Sequence, residues 1–259
     1  MRENRVKTAL LAGKTVVGAG LTIAANPLVV RVLAEAGYDW LFIDVEHTAI
    51  APDMLAAVVQ MARLAGISPI VRVQDSEYHL IANVLDMGAD GIIVPRVETA
   101  EQAARVVSYA RFPPEGVRGC GTTATLDYQR PEWTQALPWL NRQTFVAIQV
   151  ESARSVANLA AILQVPGMDA VFVGPLDLSI SLGLPGQFGH PTVIAAIEQI
   201  VDTCVAAGKP VGTVLGTPEA LRPWWQRGMR FLTCSGDANM LLDTGSRHVA
   251  GVRAYAGAL

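Results

Sequence analysis

Eight times between residues 16 and 235 a short apolar run gives way to a longer stretch whose apolar positions recur at helical spacing. The runs fall at 16–20, 40–43, 69–73, 91–94, 145–150, 170–173, 211–215 and 231–235. Each is too short for a helix and lacks the apolar/polar alternation of a half-exposed strand, so each reads as a strand buried on both faces. Asn26-Pro27 opens one of the intervening helices with a cap and a proline at its first position, Gly37 closes it, and Gly66, Gly88 and Gly208 close others. This alternation predicts an α/β chain folded as one (β/α)8 TIM barrel over residues 1–259, because right-handed crossovers make successive strands parallel neighbours. A helix over 4–12 precedes it, and a glycine-, proline- and threonine-rich loop over 111–130 interrupts the rhythm before the fifth strand. A doubly wound open sheet is the alternative, but it normally has fewer strands and a different phosphate-loop signature.

A barrel gives every polar residue an address, since residues at the carboxyl ends of strands face the active-site mouth. Asp44, Glu46 and His47 follow the second strand, Arg72 ends the third, Gln149 and Glu151 end the fifth, and Asp177 follows the sixth. Glu151 and Asp177 project from the same end of adjacent strands. Such a pair suits a hard divalent cation such as magnesium or manganese, which takes carboxylate oxygens and keeps waters for substrate to displace. Either acid alone could instead cap the helix that follows it.

His47 stands where a neutral imidazole can take or give a proton near neutral pH, or simply bond to a loop backbone. Arg72 closes an otherwise apolar strand and needs an anion, either a structural carboxylate such as Asp44 or Glu46 or a substrate enolate or carboxylate. Asp86, at the end of a helix, opposes the helix dipole. The three lysines, Lys7, Lys14 and Lys209, all fall away from the predicted mouth, which leaves no Schiff-base amine and directs carbonyl chemistry towards a metal. The sequence has no serine-nucleophile elbow, dinucleotide fingerprint or zinc-protease motif.

A net charge of −3 without a basic cluster argues against nucleic acid, and no apolar stretch is long enough for a membrane span. Three dispersed cysteines and no secretory leader predict a reducing cytoplasm. Charged residues are only 17% of the chain, with a mean hydropathy of +0.33, more apolar than one barrel needs. Subunit contacts, with the C-terminal helix and Trp224-Trp225 as candidates, would use the surplus.

The segments DWLFIDVEH, VLDMGADGIIVPRVETAEQA, RFPPEGVRGCG, QVES and VFVGPLDLSISLG, in this order and with the arginine-ending strand between the first two, resemble the HpcH/HpaI family of metal-dependent pyruvate aldolases nearly end to end. The resemblance implies reversible aldol cleavage of 4-hydroxy-2-oxo acids to pyruvate or hydroxypyruvate and an aldehyde. It implies a divalent cation (magnesium, manganese or cobalt) on Glu151 and Asp177, and a hexamer built as a trimer of dimers. His47 is similar to the family's proton-transfer histidine, Asp86 to the acid that pairs with it, and Arg72 to the arginine on the oxo group and enolate. Gln149 and the backbone of Gly174, Pro175 and Leu176 match the pyruvate carboxylate pocket. Asp44 and Glu46 would orient Arg72 or waters around it.

Two departures bear on the acceptor. Leu176 stands where the family commonly has a small or polar residue, and the segment 73–78 lacks the usual proline-containing turn. A related oxo-acid lyase or decarboxylase using the same enolate is the alternative reaction, and a carboxylate-binding barrel without catalysis is the alternative outside enzymes.

Overall fold

The computed structural model describes residues 2–121 and 124–256. Its strands are β1 (Val16–Leu21), β2 (Trp40–Asp44), β3 (Ser68–Arg72), β4 (Gly91–Val94), β5 (Phe145–Val150), β6 (Ala170–Val173), β7 (Val211–Leu215) and β8 (Phe231–Gly236). All pair in parallel and in sequence order, and β8 returns to β1 to close a TIM barrel, as the alternation predicts. Five aromatic side chains, Trp40, Phe42, Phe145, Phe172 and Phe231, fill its interior. Trp40 stacks on Phe231 with centroids 4.3 Å apart, and Phe42 on Phe172 at 5.4 Å. The barrel is therefore a packed core and not a channel, and Phe42 and Phe172 form the floor of the cavity above. Gly18 and Gly212 admit these rings, since a Cβ on the first would strike the Trp40 indole and one on the second the Phe231 backbone.

The helices α1 (Arg5–Leu11), α2 (Pro27–Glu35), α3 (Pro52–Ala65), α4 (Tyr78–Asp86), α5 (Ala100–Ala110) and α6 (Trp133–Gln143) lie where their periodicity and caps place them, to within three residues. Helix α1 plugs the bottom of the barrel. Asn4 caps it and its Nδ2 donates to the carbonyls of Asp90 and Gln143, while Val6 and Leu10 join the interior cluster. Lys7 is held there by Asp169 at 2.9 Å, and Lys209 donates to the Met168 carbonyl in the loop before β6.

The crossover from β5 to β6 departs from the single predicted helix. It is two short pieces, α7 (Ala153–Ala157) and α8 (Leu159–Ile162), broken at Asn158, whose side chain donates to the Glu98 carbonyl. A second difference lies after β6, where Gly174-Pro175 reads as a turn into a loop. The chain instead starts α9 (Pro175–Ser181), with proline at its first position and Asp177 in its first turn. After α10 (Pro191–Ala206) and α11 (Pro218–Arg227) comes α12 (Asp237–Ala256). Only Asp237 of α12 is buried, and Leu241, Leu242, Val249, Val252 and Tyr255 are exposed along it.

The glycine-rich segment 111–130 packs along α4 and α6 in its described part. Arg111 reaches the carbonyls of Thr144 and Gly167, and Phe112 and Leu126 form a small cluster with Ala136 and Leu140. Thr122 and Thr123 lie outside the described residues.

Candidate active site

A cavity of about 720 Å³ opens at the carboxyl ends of the strands, and Asp44, His47, Arg72, Gln149, Gly174, Pro175, Leu176 and Asp177 all line it. The register explains the first contact. Asp44 and Arg72 are paired residues at the ends of β2 and β3, so their side chains leave adjacent strands at the same level. The carboxylate of Asp44 accepts from Nε of Arg72 at 3.0 Å and from Nη2 at 2.7 Å, a two-point clamp that fixes the guanidinium plane. Its Nη1 lies 3.2 Å from Oε2 of Glu46, and the Phe42 ring lies under it at 5.1 Å. Asp44 also accepts from the backbone N–H of Glu46, tying the loop after β2 to its own strand. Arg72 thus has the structural partners that its buried position demands and still presents N–H groups to the cavity.

Glu46 is the acid beside the His47 imidazole. Its Oε2 lies 3.6 Å from Nε2 of His47 but accepts no aligned hydrogen bond. Burial pushes the Glu46 carboxyl above its ordinary range despite Arg72 and His47 beside it. Asp86 is elsewhere. It is the last residue of α4 and is bonded through Oδ1 to Nη2 of Arg118 at 2.6 Å. The dyad of His47 with Asp86 is therefore not formed within this chain, because α4 runs away from the mouth and ends near the opposite face. The buried Arg118 is what answers the mismatch of an acid at a helix C-terminus.

Glu151 is 6% exposed and held from two sides. Its Oε1 accepts from the backbone N–H of Arg96 at 2.8 Å, and its Oε2 from Nε2 of Gln149. Burial raises its pKa against those two bonds, and the nearby charge of Asp177 raises it further. Gln149 leaves its own Oε1 without a partner in the buried interior. A Cβ on Gly174 would lie 2.6 Å from Oε2 of Glu151 and 3.0 Å from Nε2 of Gln149, so glycine is required by close approach. Gly174→Ala should therefore displace Glu151 and weaken the divalent-cation binding proposed below by about tenfold or more, read by calorimetric titration, with the melting temperature little changed. Of the three residues matched to a carboxylate pocket, Gly174 spends its N–H on the Val150 carbonyl and Pro175 has none, which leaves the Leu176 N–H.

The donor set fits a hard cation. Two carboxylates, one buried and destabilised by its neighbour, gain from a positive ion between them, and an amide oxygen beside them is unpartnered. Among the described residues no group of three or more His, Cys, Asp or Glu is placed to hold a metal ion. None of the three lysines lines the cavity.

Two residues with no counterpart in the sequence reading organise the rim. Arg96 adopts φ +57°, which turns its N–H towards Glu151 while its side chain, 59% exposed, donates to the Gln74 carbonyl. Asp237 is buried and accepts from the backbone N–H groups of Thr22, Ile23, Ala24 and Ala238 and from the Thr22 hydroxyl, which stitches the loop after β1 to the start of α12. Burial opposes its ionisation, but the bonds from Thr22, Ala24 and Ile23 outweigh it and hold the carboxyl below its usual range. A lowered native value means the stabilisation is complete above the unfolded carboxyl value of about 3.9 and is lost as pH falls through the native one. Asp237→Ala should cost about 2 kcal/mol in urea unfolding at neutral pH, a difference that narrows in acid.

A family model described as HpcH/HpaI aldolase/citrate lyase matches residues 22–243. A hydroxypyruvate/pyruvate aldolase of Cupriavidus necator is 38% identical over 251 residues, covering 96% of this chain and 91% of its own. A 2-keto-3-deoxy-L-rhamnonate aldolase of Klebsiella pneumoniae is 36% identical, covering 96% and 92%. The crystal structure of an HpcH/HpaI aldolase from Desulfitobacterium hafniense superposes with a TM-score of 0.92 at 33% identity, with 96% of each chain covered. Fold and site together define a carbon–carbon lyase barrel. The chain belongs to the HpcH/HpaI aldolase/citrate lyase family.

Proposed function

We propose that this protein is a divalent-metal-dependent aldolase that reversibly cleaves 4-hydroxy-2-oxo acids to pyruvate, or hydroxypyruvate, and an aldehyde. The observation that carries the reading is the clamped guanidinium of Arg72, facing a cavity shared with Gln149 and Asp177 and without a lysine. Glu151 and Asp177 would hold the cation, and magnesium, manganese and cobalt are the candidates. When bound, it supplies Lewis-acid charge stabilisation to the oxygens of the 2-oxo acid.

The remaining work falls to side chains. His47, 61% exposed at the rim, takes the proton of the 4-hydroxyl, and Glu46 beside it steadies the imidazolium that results. The C3–C4 bond then breaks, C4 leaves as the aldehyde, and the electron pair stays on C3 as the pyruvate enolate. N–H groups of Arg72 that Asp44 leaves free share the negative charge of the enolate oxygen. The Leu176 N–H and Gln149 orient the carboxylate, and C3 takes a proton from water while His47 returns its own to solvent, which completes pyruvate. Asp86, on the α4 surface with Arg118, is assigned no step inside one chain.

Purified protein supplied with each metal should exchange the C3 protons of pyruvate for solvent deuterium and cleave 4-hydroxy-2-oxo acids, and chelation should stop both. Exchange and cleavage that persist in chelator would refute the reading.

The exposed apolar residues of α12 support a homo-oligomer, with the hexamer of the resemblance as the specific form. Trp225, the other sequence candidate, is half-exposed on α11 and donates to the Thr15 hydroxyl. A monomer by light scattering at micromolar concentration would refute assembly. Three free cysteines support a reducing cytoplasm, and among the described residues no helix is long and apolar enough to cross a membrane.

A further inference from the structure

The cavity is much larger than a three-carbon acid needs, and its two ends differ in chemistry. Asp44, His47 and Arg72 come from β2, β3 and the loop between them, and Asp177 from the first turn of α9. The side towards β7 and β8 is built from Val214 and Leu215, with Ser235 and Asn239 as its neutral polar members, and Phe188 and the Leu176 side chain line the same cavity. Leu176 and Phe188 are 51% and 49% exposed, large apolar side chains left open at a cavity mouth. Such surface is costly in water and marks a site for an apolar ligand.

Charge points the same way. Among the described residues lining the cavity, Arg72 is the one lysine or arginine, and two carboxylates already engage it. An acceptor ending in carboxylate, sulfonate or phosphate would lose hydration against Leu176 and Phe188 without gaining a cation, and would share the cavity with Asp44 and Asp177. A neutral apolar tail instead covers surface that is otherwise exposed. Ser235, a non-glycine residue at φ +63° at the end of β8, is the kind of backbone outlier that collects at ligand sites.

We propose that the acceptor half of this cavity selects an uncharged, hydrophobic aldehyde, aromatic or alkyl, and discriminates against aldehydes that carry an anionic group. This rests on the aldolase reading and specifies its second substrate. Phe188, in the loop after α9, is the specificity-determining residue most separable from the oxo-acid end.

The experiment is aldol addition of pyruvate, with manganese, to benzaldehyde, hexanal and succinic semialdehyde, beside pyruvate C3 proton exchange. Wild type should favour the neutral aldehydes by about tenfold or more in kcat/KM, the range that differences in pocket apolarity produce. Phe188→Arg should raise succinic semialdehyde and lower benzaldehyde by about tenfold each, with proton exchange unchanged. Thermal shift with the inert analogues 2-oxo-4-phenylbutanoate and 2-oxoadipate should follow the same order and the same inversion. Wild-type preference for succinic semialdehyde, or a ratio that Phe188→Arg does not move while exchange is intact, would overturn the proposal and leave the aldolase reading standing. Absence of exchange in wild type would overturn both.

Discussion

Glu151→Gln and Asp177→Asn should each lower cleavage of a 4-hydroxy-2-oxo acid by on the order of a thousandfold, because a lost Lewis-acid contact is worth several kcal/mol of transition-state stabilisation. Glutamine at 151 can still accept from the Arg96 N–H, so the mouth should keep its shape, and circular dichroism and melting temperature should stay near wild type. The two variants should differ in stability all the same. Glu151 is a buried acid whose ionised form is penalised by burial, so neutralising it removes a strain that wild type carries. Glu151→Gln is therefore expected to melt at or above the wild-type temperature without metal, and to lose the further rise that a divalent cation gives the parent. A variant that kept both activity and metal-dependent stabilisation would remove Glu151 from the cation site.

The second large effect separates Arg72 from His47. Arg72→Lys keeps a positive charge but gives up the planar fork that meets Asp44 at two points, so its ammonium cannot hold both Asp44 and an enolate oxygen in the same geometry. Every reaction through the enolate should slow, by about a hundred- to a thousandfold for one missing donor to a developing charge. Aldol cleavage, pyruvate proton exchange and oxaloacetate decarboxylation should fall together. His47→Ala removes the group we propose to handle the 4-hydroxyl proton, which oxaloacetate lacks. Cleavage should then drop by about a hundred- to ten-thousandfold while decarboxylation survives in substantial part. Equal losses in the two reactions for His47→Ala would assign the histidine to binding or to the enolate.

Much of this was readable from the chain. The eight strands were legible because strands buried on both faces are nearly unbroken apolar runs, and helix ends because proline and glycine mark them. Once the strands were placed, the barrel put Asp44, His47, Arg72, Gln149 and Asp177 around one cavity by rule. Three things were hidden. The helix α9 was obscured because Gly-Pro signals a turn and a helix start alike. Asp86 carried a mismatch that sequence could register, but its partner, Arg118, lies 32 residues away in a loop without periodicity. Arg96 and Asp237 act through main-chain N–H groups, and a peptide group has no residue type to read.

That last property has a bearing on how such a site can change. The carboxylate of Glu151 is gripped by the peptide of residue 96, not by its side chain, and the arginine there leans out towards Glu46 and Asp75. Residue 96 is thus mutable at the rim without loosening Glu151, provided the new residue accepts φ +57°, which asparagine and glycine do readily and valine or isoleucine do not. In a randomised library at this position, survivors would be sorted by backbone preference first and by charge second. Descendants of this barrel could then diverge at the entrance while inheriting the interior unchanged.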